Sequence, residues 1–218
     1  MNRSESKRLN ILVIGANGGI GAQVVRRALS QGHSVTAILR NPDKLLVNHD
    51  ELTIVQGDIL RPDQIQSVFM DKDVVISAIG SNSRKRTSLY SDGARHILEA
   101  MNVAGITRCF FISASGLDVN PSFNFFLKWV TKNILQLILK EMYKDLVDME
   151  VIIKSSPLHW TIVRPPRLTN GKAKGECRFS VDGYLAHGTE ISRADLAYFI
   201  LDNIDNPAIY RSTVEVGY

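Results

Sequence analysis

Residues 11–25 read ILVIGANGGIGAQVV. Four apolar residues run into four glycines, Gly15, Gly18, Gly19 and Gly21, within seven positions, and a helical pattern follows. A buried strand that ends in a glycine-rich turn has something close to its backbone. The spacing is G-x-x-G-x-x-G over Gly15, Gly18 and Gly21. The first glycine permits a tight turn out of the strand, the second lets a phosphate approach the main chain, and the third lets the helix pack against the sheet. The N–H groups at the helix start, with the helix dipole, then face an anion. A strand before the glycines and a helix after them, in the first β-α-β unit, predict a dinucleotide pyrophosphate turn, the alternative being a glycine turn without a ligand.

Outward from that turn the chain alternates. Short apolar runs at 10–14, 34–39, 52–55, 74–78, 108–112 and 160–163 are rich in Val, Ile, Leu and Phe, and a closing strand is predicted at 212–216. Such near-continuous runs suit parallel strands covered on both faces. Helical patterns at 21–31, 62–70, 91–103, 145–155 and 193–203 lie between or after them. The first is closed by Gly32, and the last is opened by Ser192 as N-cap. This rhythm predicts an α/β fold with a doubly wound parallel sheet, the ligand lying beyond the carboxyl ends of the strands. Residues 1–8 read as a flexible tail and 9–218 as one domain with a small loop-rich C-terminal extension at 167–188. The stretch 121–140, PSFNFFLKWVTKNILQLILK, has apolar residues at helical spacing. It reads as a core-facing helix, with a pocket wall or a dimer contact as alternatives.

Composition narrows the function classes. At 218 residues with 44% hydrophobic content, the chain can bury a core. No apolar run reaches the roughly 18 residues of a membrane span. Residues 1–8 lack an apolar signal segment, so a cytoplasmic protein is expected. Cys109 and Cys177 do not make a disulfide framework. A net charge of +4 suits a small anionic ligand. The cluster Arg84-Lys85-Arg86 reads as a solvated loop, and without interleaved aromatic residues or a reading motif no nucleic-acid partner is expected. The five histidines have no metal-ligand spacing, so no metal is expected.

The strand ends refine the ligand. An NAD site closes its second strand with an acid that bonds the ribose hydroxyls. Here Arg40 stands there, with Lys44 four residues on. A guanidinium pairs with a 2′-phosphate and stacks on adenine, which favours NADP(H). Asp58 after the third strand is a candidate for the adenine amino group, or a turn residue. Ala78, Ile79 and Gly80 after the fourth are small enough for the nucleotide to pass.

Several stretches together, VIGANGGIG, ILRNPDKL, QGDIL, FFISASG, WTIVRPPRLTNG and ISRADLAYFILDNI, resemble the atypical short-chain dehydrogenase/reductases. Within them the chain is most similar to the NmrA-like and biliverdin-IXβ/flavin reductase branch. The resemblance implies a Rossmann fold, a nicotinamide cofactor, and a flavin, quinone or tetrapyrrole as small-molecule acceptor. Residue by residue it implies Gly15, Asn17, Gly18, Gly19 and Ile20 at the pyrophosphate, Arg40 at the 2′-phosphate and Asp58 and Ile59 at the adenine. It further implies Ile79 and Gly80 beside the ribose, and Pro165 and Pro166 beside the nicotinamide.

The reacting groups depart from the tyrosine-dependent members of that superfamily. Those use Tyr-x-x-x-Lys, whose tyrosine passes a proton. Here Tyr143 is followed four residues later by Val147, and Lys144 is its immediate neighbour. Hydride transfer to a flavin needs no such pair. Ser113, after the fifth strand, is a candidate cofactor or substrate contact, or a structural bond at the strand end. Arg167 stands where the flavin-reductase branch carries a histidine. It is a candidate partner for an anionic acceptor, or a surface charge. The reading is therefore an NADPH-dependent reductase of a flat conjugated acceptor, the alternative being a non-catalytic NADP(H)-binding redox sensor; the oligomeric state is left open.

Overall fold

A computed structural model of the chain describes residues 7–80, 88–118, 121, 125 and 139–218. The tail residues 1–6, the basic cluster at 84–86 and nearly all of the apolar stretch 121–140 lie outside the described residues. Arg8 hydrogen-bonds the Ser34 hydroxyl at 2.8 Å and pairs with Glu51, and Leu9 is buried.

The described strands are β1 (Asn10–Ile14), β2 (Ser34–Leu39), β3 (Leu52–Gln56), β4 (Val74–Ser77), β5 (Arg108–Ile112), β6 (His159–Arg164), β7 (Arg167–Thr169), β8 (Arg178–Val181), β9 (Glu190–Ser192) and β10 (Ser212–Gly217). The described helices are α1 (Gly19–Ser30), α2 (Leu89–Ala104), α3 (Lys140–Lys154) and α4 (Arg193–Asp202). One eight-stranded sheet has the order β3-β2-β1-β4-β5-β6-β10-β8. Its pairs are parallel except β10 with β8 at the edge, and β7 pairs with β9 in a small separate sheet.

The sheet is covered on both faces, as its apolar strands require. Ile11 and Val13 of β1 join one core with Val24, Val25, Ala28 and Leu29 of α1 and Leu196 and Ile200 of α4. Leu12 and Ile14 point the other way, into a second core with Ile97 and Met101 of α2 and Met149 and Ile153 of α3. Each fully buried Val, Leu or Ile contributes about 1.5–3 kcal/mol relative to exposure. Cys109 is buried in the second core, and burial pushes its thiol up to about 12. α1 ends at Gly32 with φ +84°, where Gly32 N–H bonds Leu29 O at 3.0 Å and His33 N–H bonds Ala28 O at 3.1 Å. That pair of bonds is the Schellman closure, and the left-handed residue it needs is glycine.

Two expectations change. The helix expected at 62–70 is two short 3-10 turns, Pro62–Gln64 and Gln66–Phe69, with Ile65 buried between them and Phe69 buried in the second. The extension at 167–188 is loop-rich, yet contains β7 and β8.

Candidate functional site

β1 lies between β2 and β4, so the strand order reverses beside its carboxyl end and opens a crevice there. Gly15 turns out of β1 with φ +84°. A Cβ on it would lie 2.4 Å from Ala78 O and 2.9 Å from Ile79 N. The end of β4 therefore rests on the bare Cα of Gly15. A Cβ on Gly21 would lie 2.3 Å from Gly15 O, so α1 starts closer to the turn than any side chain allows. Gly18 N–H closes the turn onto Gly15 O at 2.9 Å. Asn17, Gly18 and Gly19 are exposed and Ile20 is half-buried, which leaves the start of α1 open to a ligand.

The turn is tied to the end of β2. Asn17 Nδ2 donates to Asn41 O at 2.7 Å, which fixes the loop beginning at Arg40 beside the glycines. Arg40 is exposed at the end of β2, and Lys44, also exposed, closes the short turn Pro42–Lys44. Asp58 is half-buried. Its Oδ1 accepts from Leu60 N at 3.0 Å, the turn role anticipated as one of its two readings. Ile59 is buried, and its carbonyl is bonded to His96 Nδ1 at 2.8 Å. Ile59 and Ile79 both pack around Gly93 of α2, and Gly80 is exposed beside them. The structure thus brings Gly15, Asn17, Gly18, Gly19, Arg40, Ala78 and Ile79 to one crevice.

The second cluster lies at the ends of β5 and β6. Ser115 N–H bonds Pro165 O at 3.0 Å and Ser113 N–H bonds Val163 O at 2.8 Å, so these two strand exits are joined. Pro165 is buried and Pro166 half-buried. The Ser113 hydroxyl donates to Glu150 Oε1 at 2.7 Å. Glu150 also takes a forked pair from Arg164, Nε to Oε1 at 2.8 Å and Nη2 to Oε2 at 2.6 Å, and Lys154 at 3.2 Å. Burial alone would raise the Glu150 carboxyl. The Arg164 guanidinium, Ser113 hydroxyl and Lys154 ammonium outweigh it and hold the group below its ordinary value. Ser113 is thus part of a buried charge network at the base of the loop.

Tyr143 is buried in α3, and burial raises its hydroxyl above the ordinary value. A paired lysine would do the opposite. Arg167 lies on β7 with an exposed side chain paired to Glu190 of β9, which is the surface-charge reading of that residue.

One functional candidate escaped the sequence. Arg193, the first residue of α4, reaches the glycine turn: a Cβ on Gly19 would lie 2.6 Å from its Cδ and Nε. The S-R-A-D-L run explains how it is held there. Ser192 Oγ caps the helix by accepting from Asp195 N at 3.0 Å. Asp195 is buried and accepts from Lys174 N at 2.9 Å, Gly175 N at 2.9 Å, the Ser192 hydroxyl at 2.7 Å and the Tyr218 hydroxyl. The available signal was a cation at the first position of a helix, where the dipole disfavours it. A separate cavity of about 680 Å³, lined by Lys174, Cys177, Phe179, Tyr198, Phe199 and Tyr218 among others, includes none of the crevice residues.

These residues fit a dinucleotide: bare glycines let the turn close tightly on β4 and α1, the helix start is exposed and carries no side-chain cap, and the Arg193 side chain lies against it. Known proteins agree. The family model described as NAD(P)H-binding matches residues 15–207. The Photosystem II assembly factor Ycf39 of Synechocystis is 32% identical over 48% of this chain, and the match spans 33% of its own length. The UPF0659 protein C216.03 of Schizosaccharomyces pombe is 28% identical over 91% of this chain and 86% of its own. A short-chain dehydrogenase/reductase of Veillonella parvula, solved in complex with NADP, superposes with a TM-score of 0.78 at 19% identity, covering 97% of this chain and 95% of that one. ChuY of Escherichia coli O157:H7, an anaerobilin reductase, superposes with 0.77 at 21% identity, covering 95% and 96%. At these identities the two structures share the fold with this chain.

Proposed function

This chain belongs to the NAD(P)H-binding family, and from that premise we propose that it is an NADPH-dependent reductase that passes hydride to a flat conjugated acceptor such as flavin. The observation that carries the reading is the pairing of an intact dinucleotide crevice with the lack of a tyrosine–lysine relay. Tyr143 is buried with Val147 in the lysine position, and Ser113 is engaged by Glu150. The reduced nicotinamide supplies the hydride when bound, and a flavin ring takes it without a protein proton donor.

The chain's own residues would then bind and orient. The start of α1 holds the pyrophosphate, with Gly15 and Gly18 giving access to the main chain. Arg40 holds the 2′-phosphate, and Lys44 adds charge. Asp58 and Ile59 border the adenine, and Ala78, Ile79 and Gly80 the ribose. Pro165, whose carbonyl is bonded by Ser115 N–H, and Pro166 form the wall on the nicotinamide side. An anaerobilin reductase and an NADP-bound short-chain dehydrogenase/reductase share the fold, so it accommodates such chemistry.

The test is an NADPH-oxidation screen with FMN, FAD, quinones and tetrapyrroles. Turnover with at least one acceptor is expected. NADPH binding without oxidation by any of them would overturn the reductase and leave the redox sensor.

A further inference from the structure

A half-buried cation sits where the fold already concentrates positive charge. α1 starts after an extended Gly18, with no side-chain cap and no acidic residue in its first turn. Its free N–H groups and dipole present positive charge that its own sequence does not offset. Arg193 lies against this end, 2.6 Å from where a Gly19 Cβ would be. Arg193 also opens α4, so it opposes the dipole of its own helix. Among the described residues it makes no ion pair. Its Nη1 donates to the neutral amide oxygen of Asn170 at 2.8 Å, which aims the guanidinium without neutralising it.

The same protein shows what a structural arginine looks like. Arg108 is buried, gives its N–H groups to Ile204 O, His159 O and Thr161 Oγ1, and lies over the Phe110 ring. Arg164 is saturated by carboxylates. Arg193 has neither arrangement. An arginine and a bare helix N-terminus held together repel each other until an anion lies between them.

We propose that Arg193, aimed by Asn170, is a pyrophosphate-binding residue that clasps the dinucleotide against the start of α1. The inference rests on the cofactor reading of the crevice and adds a residue to it. A planar guanidinium offers two parallel N–H donors to phosphate oxygens. Gly19 fits the same role, because any Cβ there would displace the arginine.

Binding of two probes to the full chain tests this: NADPH, which carries the pyrophosphate, and adenosine 2′-monophosphate, which does not. Arg193→Ala is expected to weaken NADPH by about tenfold to a hundredfold and leave adenosine 2′-monophosphate within about twofold. Arg193→Lys, which keeps the charge without the fork, should fall between. The melting temperature of the ligand-free Arg193→Ala protein should stay level or rise, since a repulsion is removed, while the upward shift caused by NADPH shrinks. Unchanged NADPH binding, equal losses for both probes, or a lower ligand-free melting temperature with an undiminished NADPH shift would overturn the assignment. If the wild-type chain binds neither probe, the cofactor reading itself falls, and this inference with it.

Discussion

In the proposed reading Arg40 is the residue that sets the preference for NADPH over NADH. It is exposed at the end of β2, and the loop that follows it is pinned to the glycine turn through Asn17 and Asn41. A carboxylate there would repel a 2′-phosphate, whereas a guanidinium attracts it. Arg40→Ala is therefore expected to weaken NADPH binding by about tenfold to a hundredfold and NADH binding by less than about twofold. Titration of both cofactors against the two proteins checks this, and equal losses would remove the preference. At this scale the glycines were legible, because each demand on backbone space is local: Gly15 meets Ala78 across a single strand exit. The fate of Ser113 was not. Its hydroxyl is held by Glu150, thirty-seven positions along the chain, and only the packing of α3 against the sheet brings the two together. Arg193 was hidden for the same reason, standing far from Gly19 in sequence and against it in space.

Elements with their own periodicity were read well. β1, β2 and β5 keep their expected bounds, because buried parallel strands carry their signature in consecutive residues. β8 was not visible. Its partner is β10, more than thirty positions on, and Arg178–Val181 is a half-exposed edge whose burial pattern is weak. The start of α2 shows the same dependence on distant chain. Ser88 provides no side-chain cap. Asp145 of α3 instead takes Tyr90 N at 2.9 Å and Ser91 N at 3.0 Å, so one helix caps another. Asp145→Ala would leave both amides without that acceptor in a buried place, and should lower unfolding stability by about 1–2 kcal/mol in denaturant titration. A change within a few tenths would mean that the cap carries no weight.

At the scale of the whole molecule a buried network joins α3 to the exits of β5 and β6. Glu150 links α3 to Ser113 on one strand exit and Arg164 on the other, and Arg164 reaches Asp118 at 2.8 Å. Because the folded carboxyl is held below its ordinary value of 4.5, its contribution is complete above that pH. As the pH falls through the lower folded value, protonation removes it. Glu150→Gln should cost on the order of 3 kcal/mol at neutral pH, where it leaves Arg164 short of a buried partner. The gap between variant and wild type should close in acid, and melting curves from neutral pH downward check it; a gap independent of pH would show that the charge is not what matters. Among the described residues no helix is long and apolar enough to cross a membrane. The sequence by itself determined the buried parallel strands, the glycine turn and a cation at the end of β2, because strand burial and backbone space are written in neighbouring residues. The tertiary structure alone decided that Ser113 serves a charge network, that Asp145 caps another helix and that Arg193 faces the crevice. Those roles arise from contacts between residues far apart in the chain, where charge and hydrogen bonding depend on which elements the fold brings together.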